Sequence, residues 1–300
     1  MNEKMFRCGF VVILGRPNVG KSTLLNTIIG EKVAAVTAKP QTTRNRITGI
    51  YHGDSAQIIF VDTPGIHQAG SLLNRSLVSN ALNAVQSVDA AMVLFDGTLT
   101  VNDDDLAILD SLRPMKHLPK IAVINKIDKV KKPLLLPLMQ KLEALSLFSE
   151  IIPISATKND GISLLLERIE CLLPVGDALF PQDYFTDKTE RFIAQEIIRE
   201  QLILKTREEI PYISAIIIDS FKEDTAKKLL VIKATINLEK ESQKAIVIGK
   251  SGDMLKRIGT ASRQELEKIF GTKVFLELFV RVQKNWTKNP KLLREFGIVE

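Results

Sequence analysis

Gly15-Arg16-Pro17-Asn18-Val19-Gly20-Lys21-Ser22, with Thr23 behind it, fits the pattern G-x-x-x-x-G-K-[ST]. In that pattern a glycine-rich turn curls backbone N–H groups around phosphate oxygens. The surroundings give the match its weight. Residues 10–14 (FVVIL) read as a short buried strand, and a helical pattern follows Ser22. A helix starting at the turn brings the positive end of its dipole to the same point. Lys21 can neutralise the β and γ phosphates, and Ser22 offers a hydroxyl to Mg²⁺. A plain glycine turn is the bland alternative, and the strand–loop–helix order counts against it.

Three further motifs close later apolar strands. Asp62-Thr63-Pro64-Gly65 ends the run 57–62. A carboxylate there can hold the metal through water, and the Gly65 N–H can sense the γ-phosphate. Alone, D-x-P-G is a common turn; after a P-loop it is more. Asn125-Lys126-Ile127-Asp128 ends the run 120–125 and selects the base. Asp128 can accept two hydrogen bonds from the N1–H and exocyclic amine of guanine. Adenine lacks that amine, and sites demanding such a bond discriminate by roughly 10⁴–10⁵. Lys126 can lay its stem over the base, and Asn125 can tie this loop to the P-loop. Ser155-Ala156-Thr157 follows the run 150–154, where the Ala156 N–H can meet the guanine oxygen. Four motifs in one order define a guanine-nucleotide site.

Gln41-Thr42-Thr43-Arg44 lies where an effector loop belongs, and one threonine should close on Mg²⁺ when the γ-phosphate is present. Thr43 is favoured and Thr42 is the alternative. Lys21, Thr43, Asp62 and Gly65 are therefore the residues expected to act on the γ-phosphate. Ras-like GTPases place a water-orienting glutamine after D-x-x-G. Here Ile66 stands there, and His67 nearby reads as a bystander, so slow intrinsic hydrolysis is expected. Asn18, an amide beside the phosphates, raises K⁺ as a second cofactor besides Mg²⁺; an ordinary loop residue is the rival reading.

Strands at 10–14, 57–62, 90–96, 120–125 and 150–154 alternate with helical patterns, including one at 163–171. That predicts an α/β P-loop domain with a mostly parallel sheet flanked by helices. Leu173-Pro174-Val175-Gly176-Asp177, with Pro181 beyond, breaks the last helix. The expected organisation is a nucleotide domain over 1–175, a linker over 176–187, and a second domain over 188–300. Its grammar differs: Ile193, Ile197 and Leu204 at helical spacing, strands at 212–221 and 229–238, helices near 242–247 and 254–270, and a strand at 273–282.

Between the two helices, Gly249-Lys250-Ser251-Gly252 forms a G-x-x-G turn. KH domains clamp about four nucleotides by their backbone with such a loop. In the order helix, strand, strand, helix, helix, strand it predicts an α+β type II KH domain. Gly249, Lys250, Ser251, Gly252, Lys256 and Arg257 are the expected RNA contacts. Leu255, Ile258, Leu266 and Ile269 read as core. Trp286, among basic residues, reads as a cover on the core edge rather than a base-stacking ring. Twelve basic residues face four acidic ones between Lys244 and Arg294. That excess suits a phosphate backbone or an acidic membrane surface.

No apolar run approaches the roughly 20 residues needed to span a bilayer. Cys8 and Cys171 lack metal-ligand spacing and read as reduced thiols of a cytosolic protein.

Gly15–Ser22, Gln41–Arg44, Asp62–Gly65, Asn125–Asp128, Ser155–Ala156, the Gly249–Gly252 loop and the tail Lys284-Asn285-Trp286-Thr287 together resemble the Era family of bacterial GTPases, which carry a C-terminal KH domain. The resemblance spans essentially the whole chain, and a hydrophobic residue at Ile66 belongs to its pattern. It implies GTP and Mg²⁺ as ligands and GTP hydrolysis as the activity. It further implies binding to the 3′ end of small-subunit ribosomal RNA and late maturation of the small ribosomal subunit. A cytoplasmic monomer, associated peripherally with the inner membrane, is the expected form.

Rival readings are an assembly factor using GTP as a structural ligand and a tRNA-modifying GTPase. The latter shares Asn18 and the threonine pair but has extra catalytic domains. A membrane-trafficking GTPase is disfavoured, since neither terminus carries a lipidation cysteine.

Overall fold

The computed structural model describes residues 5–37, 39, 47–63, 85–206 and 209–297. These fall into two compact units, meeting in sequence at Asp187 and Lys188.

The first unit runs β1 (Arg7–Leu14), α1 (Lys21–Ile29), β2 (Ile47–His52), β3 (Ala56–Asp62), β4 (Ala90–Asp96), α2 (Asp103–Leu112), β5 (Lys120–Asn125), α3 (Leu136–Ala144), β6 (Glu150–Pro153) and α4 (Ile162–Leu172). Its sheet has the order β2-β3-β1-β4-β5-β6. All neighbours are parallel except β2, which pairs antiparallel with β3. Every residue of β3, β4 and β5 is buried, as expected of parallel strands covered on both faces. Val12, Leu14, Val93, Phe95, Ile108 and Leu109 share one core between β1, β4 and α2.

The strand β2 has no counterpart in the sequence reading. It is short, carries an interior glycine that weakens a strand pattern, and sits at the sheet edge. The helix α2 opens with a reciprocal capping box between Asn102 and Asp105, which satisfies two backbone donors at its N-terminus.

Beyond α4 the chain leaves its helix at Pro174, yet residues up to 187 stay with this unit. Fully buried Gln57 holds them. Its Oε1 accepts the N–H of Leu179 at 2.7 Å and of Phe180 at 3.0 Å. Its Nε2 donates to the Phe180 carbonyl at 2.7 Å. The Ile50 N–H then donates to the Phe185 carbonyl at 2.9 Å, and Thr186 Oγ1 donates to the Thr48 carbonyl at 2.6 Å. The stretch read as a linker thus occupies donors and acceptors on the β2 edge.

The second unit runs α5 (Glu190–Lys205), α6 (Ile210–Ile213), β7 (Ala215–Asp224), β8 (Leu229–Leu238), α7 (Glu241–Ile248), α8 (Asp253–Phe270), β9 (Lys273–Val282) and α9 (Pro290–Glu295). Its sheet order is β7-β8-β9, antiparallel then parallel. Tyr212, expected to begin a strand, lies in the single turn α6, which has proline in its first positions. One face of the sheet packs on the helices through Ile197, Leu202, Ile232, Ile236, Val247, Ile258 and Leu266. Trp286 is fully buried. Its Nε1 donates to the Ile213 carbonyl at 3.1 Å and its ring meets Phe296 at 5.3 Å. It closes the core, as read.

Among the described residues no helix is long and apolar enough to cross a membrane.

Candidate functional site

In the first unit, β1 delivers the P-loop turn and α1 starts at Lys21. Gly20 has φ 101°, and a Cβ there would lie 2.4 Å from Asn125 Nδ2. The turn can therefore only close with glycine at this point. Lys21 Nζ donates to the carbonyls of Gly15 at 2.9 Å and Arg16 at 3.1 Å. Burial pushes its pKa down to about 8, partly opposed by the charge of Asp62.

Ser22 Oγ donates to Asp62 Oδ2 at 2.7 Å, so the two oxygens expected from the sequence to serve a metal adjoin. A hydroxyl and a carboxylate are hard donors that suit Mg²⁺. No cluster of three or more His, Cys, Asp or Glu able to hold a metal exists among the described residues. Thr63 Oγ1 anchors the end of β3 to the Ile13 carbonyl at 2.8 Å.

The base-selecting loop is built around Asn125, which is 2% exposed. Its Nδ2 donates to the Val19 carbonyl at 2.9 Å. Its Oδ1 accepts the Lys126 N–H at 2.8 Å and the Ala156 N–H at 3.0 Å. The tie to the P-loop expected from the sequence is thus present. The Ala156 N–H, expected to face a guanine oxygen, is in this structure given to Asn125. Ser155 Oγ donates to Asp128 Oδ1 at 2.6 Å, which fixes the carboxylate while Asp128 remains exposed.

Two residues absent from the sequence reading support these groups. Asp96, at the end of β4, accepts Lys126 Nζ at 2.6 Å and the Thr98 N–H and Oγ1 at 2.9 and 2.6 Å. Burial alone would raise its pKa, but the hydrogen bonds from Lys126 and Thr98 outweigh it and hold the carboxyl below its usual range. Lys126 Nζ also reaches the Asn18 carbonyl at 2.6 Å, with Asn18 at φ 65°. The second residue is Asp105, whose carboxylate lies 3.6 Å from the guanidinium of Arg16, both side chains buried. Arg16 therefore has only its backbone to turn toward a phosphate. Asp96 had a legible signal, since it closes an apolar strand just as Asp62 and Asn125 do. Asp105 had none. Pro17 and Thr23 sit on the turn and in the first turn of α1, and Thr27 Oγ1 links the Thr23 and Ala156 carbonyls at 2.9 and 3.0 Å.

Gln41, Thr42, Thr43, Arg44, Gly65, Ile66 and His67 lie outside the described residues, so the expectations placed on them are not addressed by this geometry.

In the second unit the turn Lys250–Gly252 joins α7 to α8. Gly249 has φ 74° and ψ 177°, and a Cβ there would meet Met254 Cβ at 2.7 Å. Ser251 also has positive φ, and Gly252 caps α8 from the left-handed region. Beside the turn runs a groove of about 400 Å³. Gly252, Leu255, Lys256, Gly259, Thr260 and Arg263 line one wall and Leu276 and Leu278 of β9 the other. Leu255, read as core, is half-buried and packs against the core of this unit, and it also lines the groove. Arg257 is exposed outside that lining, and Lys250 is exposed on the turn. The β9 wall was not foreseen, because only folding brings that strand beside the turn.

A strand–P-loop–helix unit with an Asn-Lys-x-Asp base loop, followed by a KH fold, is a P-loop GTPase with an appended KH domain. The family model described as 50S ribosome-binding GTPase matches residues 10–126, and a KH-domain model matches residues 209–287. The GTPase Era of Syntrophus aciditrophicus is 54% identical over 99% of this chain and 96% of its own. That of Geobacter sp. strain M21 is 52% identical over 99% of both. A variant of Era from Aquifex aeolicus, solved with GDP·AlF4⁻, is 40% identical with a TM-score of 0.94, covering 98% of this chain and 100% of its own. Era in complex with MgGDPNP and nucleotides 1506–1542 of 16S ribosomal RNA gives 40% identity and a TM-score of 0.95 over the same shares. The chain belongs to the Era family of GTPases.

Proposed function

We propose that this GTPase binds small-subunit ribosomal RNA near its 3′ end through its KH domain and promotes late assembly of the small ribosomal subunit. GTP and GDP states control its hold on the RNA. The observation that carries this reading is the joint presence of the Asn125–Asp128 base loop and the Gly249–Gly252 turn beside its groove. The likeness to an Era solved with MgGDPNP and 16S nucleotides supports it. The proposed domain assignment is 1–175 for the nucleotide domain, 176–187 for the linker and 188–300 for the KH domain with its basic tail.

Within the site, the backbone of Gly15, Arg16, Pro17, Asn18, Val19 and Gly20 faces the phosphates, with Lys21, Ser22 and Thr23 at the helix start. Asn125, Lys126, Asp128, Ser155 and Ala156 enclose the guanine. Ser22, Asp62 through water, and Thr43 or Thr42 hold Mg²⁺, which when bound neutralises charge on the β and γ phosphates. Lys21 adds its ammonium, and Gly65 its N–H. Gly249, Lys250, Ser251, Gly252, Lys256 and Arg257 hold the RNA backbone.

Asn18 beside the phosphates supports K⁺ as an activating ion; equal turnover in potassium and sodium buffers would remove that part. The basic excess supports peripheral association with the cytoplasmic face of the inner membrane, and a monomer is part of the same proposal.

Fluorescence anisotropy with an RNA of 16S nucleotides 1506–1542 tests the reading. Binding is expected to be tighter with GDPNP than with GDP. Equal affinity would refute nucleotide control, and no binding would refute the RNA assignment.

A further inference from the structure

The second unit's sheet has two faces, and only one is covered by its helices. On β9, Val274, Leu276 and Leu278 alternate toward the helices and the groove. Lys273, Phe275, Glu277, Phe279 and Arg281 take the opposite face. Phe275 is 52% exposed and Phe279 is 49% exposed. They stand on one face of the edge strand, about 13 Å apart at the rise of an extended chain. Across the sheet the register sets Val231 beside Phe275, Lys233 beside Glu277 and Thr235 beside Phe279.

The acidic groups of this face are already engaged. Glu277 pairs with Lys233 at 2.8 Å, and Asp219 accepts Thr235 Oγ1 at 2.7 Å. Asp224 pairs with Lys227 at 3.5 Å. Lys273 and Arg281, at the two ends of the aromatic pair, make no ion pair among the described residues. The face therefore presents two open rings framed by two available cations. That is the chemistry of a single-strand platform, where bases stack on rings and phosphates meet cations.

The position favours RNA as the occupant. Leu276 and Leu278, on the other side of the same strand, line the groove beside the Gly249–Gly252 turn. A strand leaving that groove over the unpaired β9 edge passes directly onto Phe275 and Phe279.

We propose that the open sheet face is a second RNA-binding surface, on which Phe275 and Phe279 stack bases of single-stranded RNA continuing from the groove. This rests on the RNA-binding reading above. The groove alone holds about four nucleotides, so the added surface lengthens the bound segment.

The test uses the full chain and the RNA of 16S nucleotides 1506–1542, followed by anisotropy. Phe275→Leu/Phe279→Leu keeps apolar bulk and removes the rings; Phe275→Tyr/Phe279→Tyr keeps them. The leucine pair should bind on the order of ten-fold or more weakly, and the tyrosine pair like the wild type. Wild-type affinity in the leucine pair would overturn the stacking surface alone. A wild-type protein that fails to bind the RNA would overturn the KH reading as well. If the leucine pair binds RNA normally but loses association with a ribosomal protein or with anionic vesicles, the face serves that partner, and the proposal falls.

Discussion

Asn125 reaches across from the end of β5 to hold the Val19 carbonyl at 2.9 Å, joining the base loop to the phosphate loop by one buried amide. The same amide oxygen gathers the Lys126 and Ala156 N–H groups. Asn125→Ala removes all three bonds and leaves the Val19 carbonyl and the Ala156 N–H buried without them. Each buried group left unsatisfied costs about 1–3 kcal/mol. Urea unfolding should show a loss of at least ~2 kcal/mol, and guanine-nucleotide affinity should fall with it. Unchanged stability together with unchanged affinity would show that the two loops are held by something else.

Asp128 presents an exposed carboxylate already oriented by Ser155. Asp128→Asn puts an amide donor opposite the N1–H and amine of guanine. Xanthine has a carbonyl where guanine has the amine, so preference should pass to xanthosine triphosphate. GTP affinity should drop by roughly 10²-fold or more, given how strongly such sites reject a mismatched hydrogen bond. Competition binding of the two nucleotides reads this directly, and retained GTP preference would refute the base-recognition argument.

Lys21 gives a pH dependence. With its pKa lowered by burial to about 8, the free protein loses this proton as pH passes 8. Phosphate oxygens favour the ammonium, so the bound form keeps the proton to higher pH. Below pH 8 both forms are charged, and affinity does not change through this group. Above it, binding must take up a proton, and affinity falls by up to about ten-fold per pH unit. Calorimetry at pH 9 in two buffers of different ionisation enthalpy should report that uptake. A heat independent of the buffer would place the ammonium elsewhere.

Asp96 holds the Lys126 ammonium at 2.6 Å while the lysine also meets the Asn18 carbonyl. Asp96→Asn keeps the Thr98 contact and removes the charge. Lys126 then loses the anchor that sets its stem beside the base. GTP and GDP affinities should both fall about ten-fold, since the base contact is common to them. A selective loss of GTP alone would place Asp96 in the γ-phosphate response instead.

The nucleotide half was legible because each motif follows an apolar strand, most of them deeply buried. Residues 90–96 and 120–125 needed no correction, since an apolar run bounded by polar residues is unambiguous in a parallel sheet. What escaped was set by contacts distant in sequence. Asp105 reads locally only as a helix-capping partner of Asn102, and its contact with Arg16 is made across the fold. Leu276 and Leu278 read as ordinary strand residues until β9 lies beside α8. Leu255 packs against the core as its helical spacing with Ile258 implies, and spacing alone could not show that it also lines a groove. The strand β2 escaped for a local reason: six residues with an interior glycine give too weak an alternation.

The two glycines of the KH turn make unequal predictions. Gly249 combines φ 74° with ψ 177°, a region nearly closed to other residues, and a Cβ would press on Met254 at 2.7 Å. Gly252 has φ 83°, and no heavy atom lies within 4 Å of where its Cβ would stand. Gly252→Ala should therefore cost only the left-handed penalty, about 1–2 kcal/mol, and leave the turn in place. Gly249→Ala must shift the start of α8, which moves Lys256 and Leu255 along the groove wall. RNA affinity should fall much further for Gly249→Ala than for Gly252→Ala, with GTP affinity unchanged in both. Equal RNA binding by the two variants would mean that the turn's backbone path does not set the groove, and the clamp would have to be sought in the basic side chains alone.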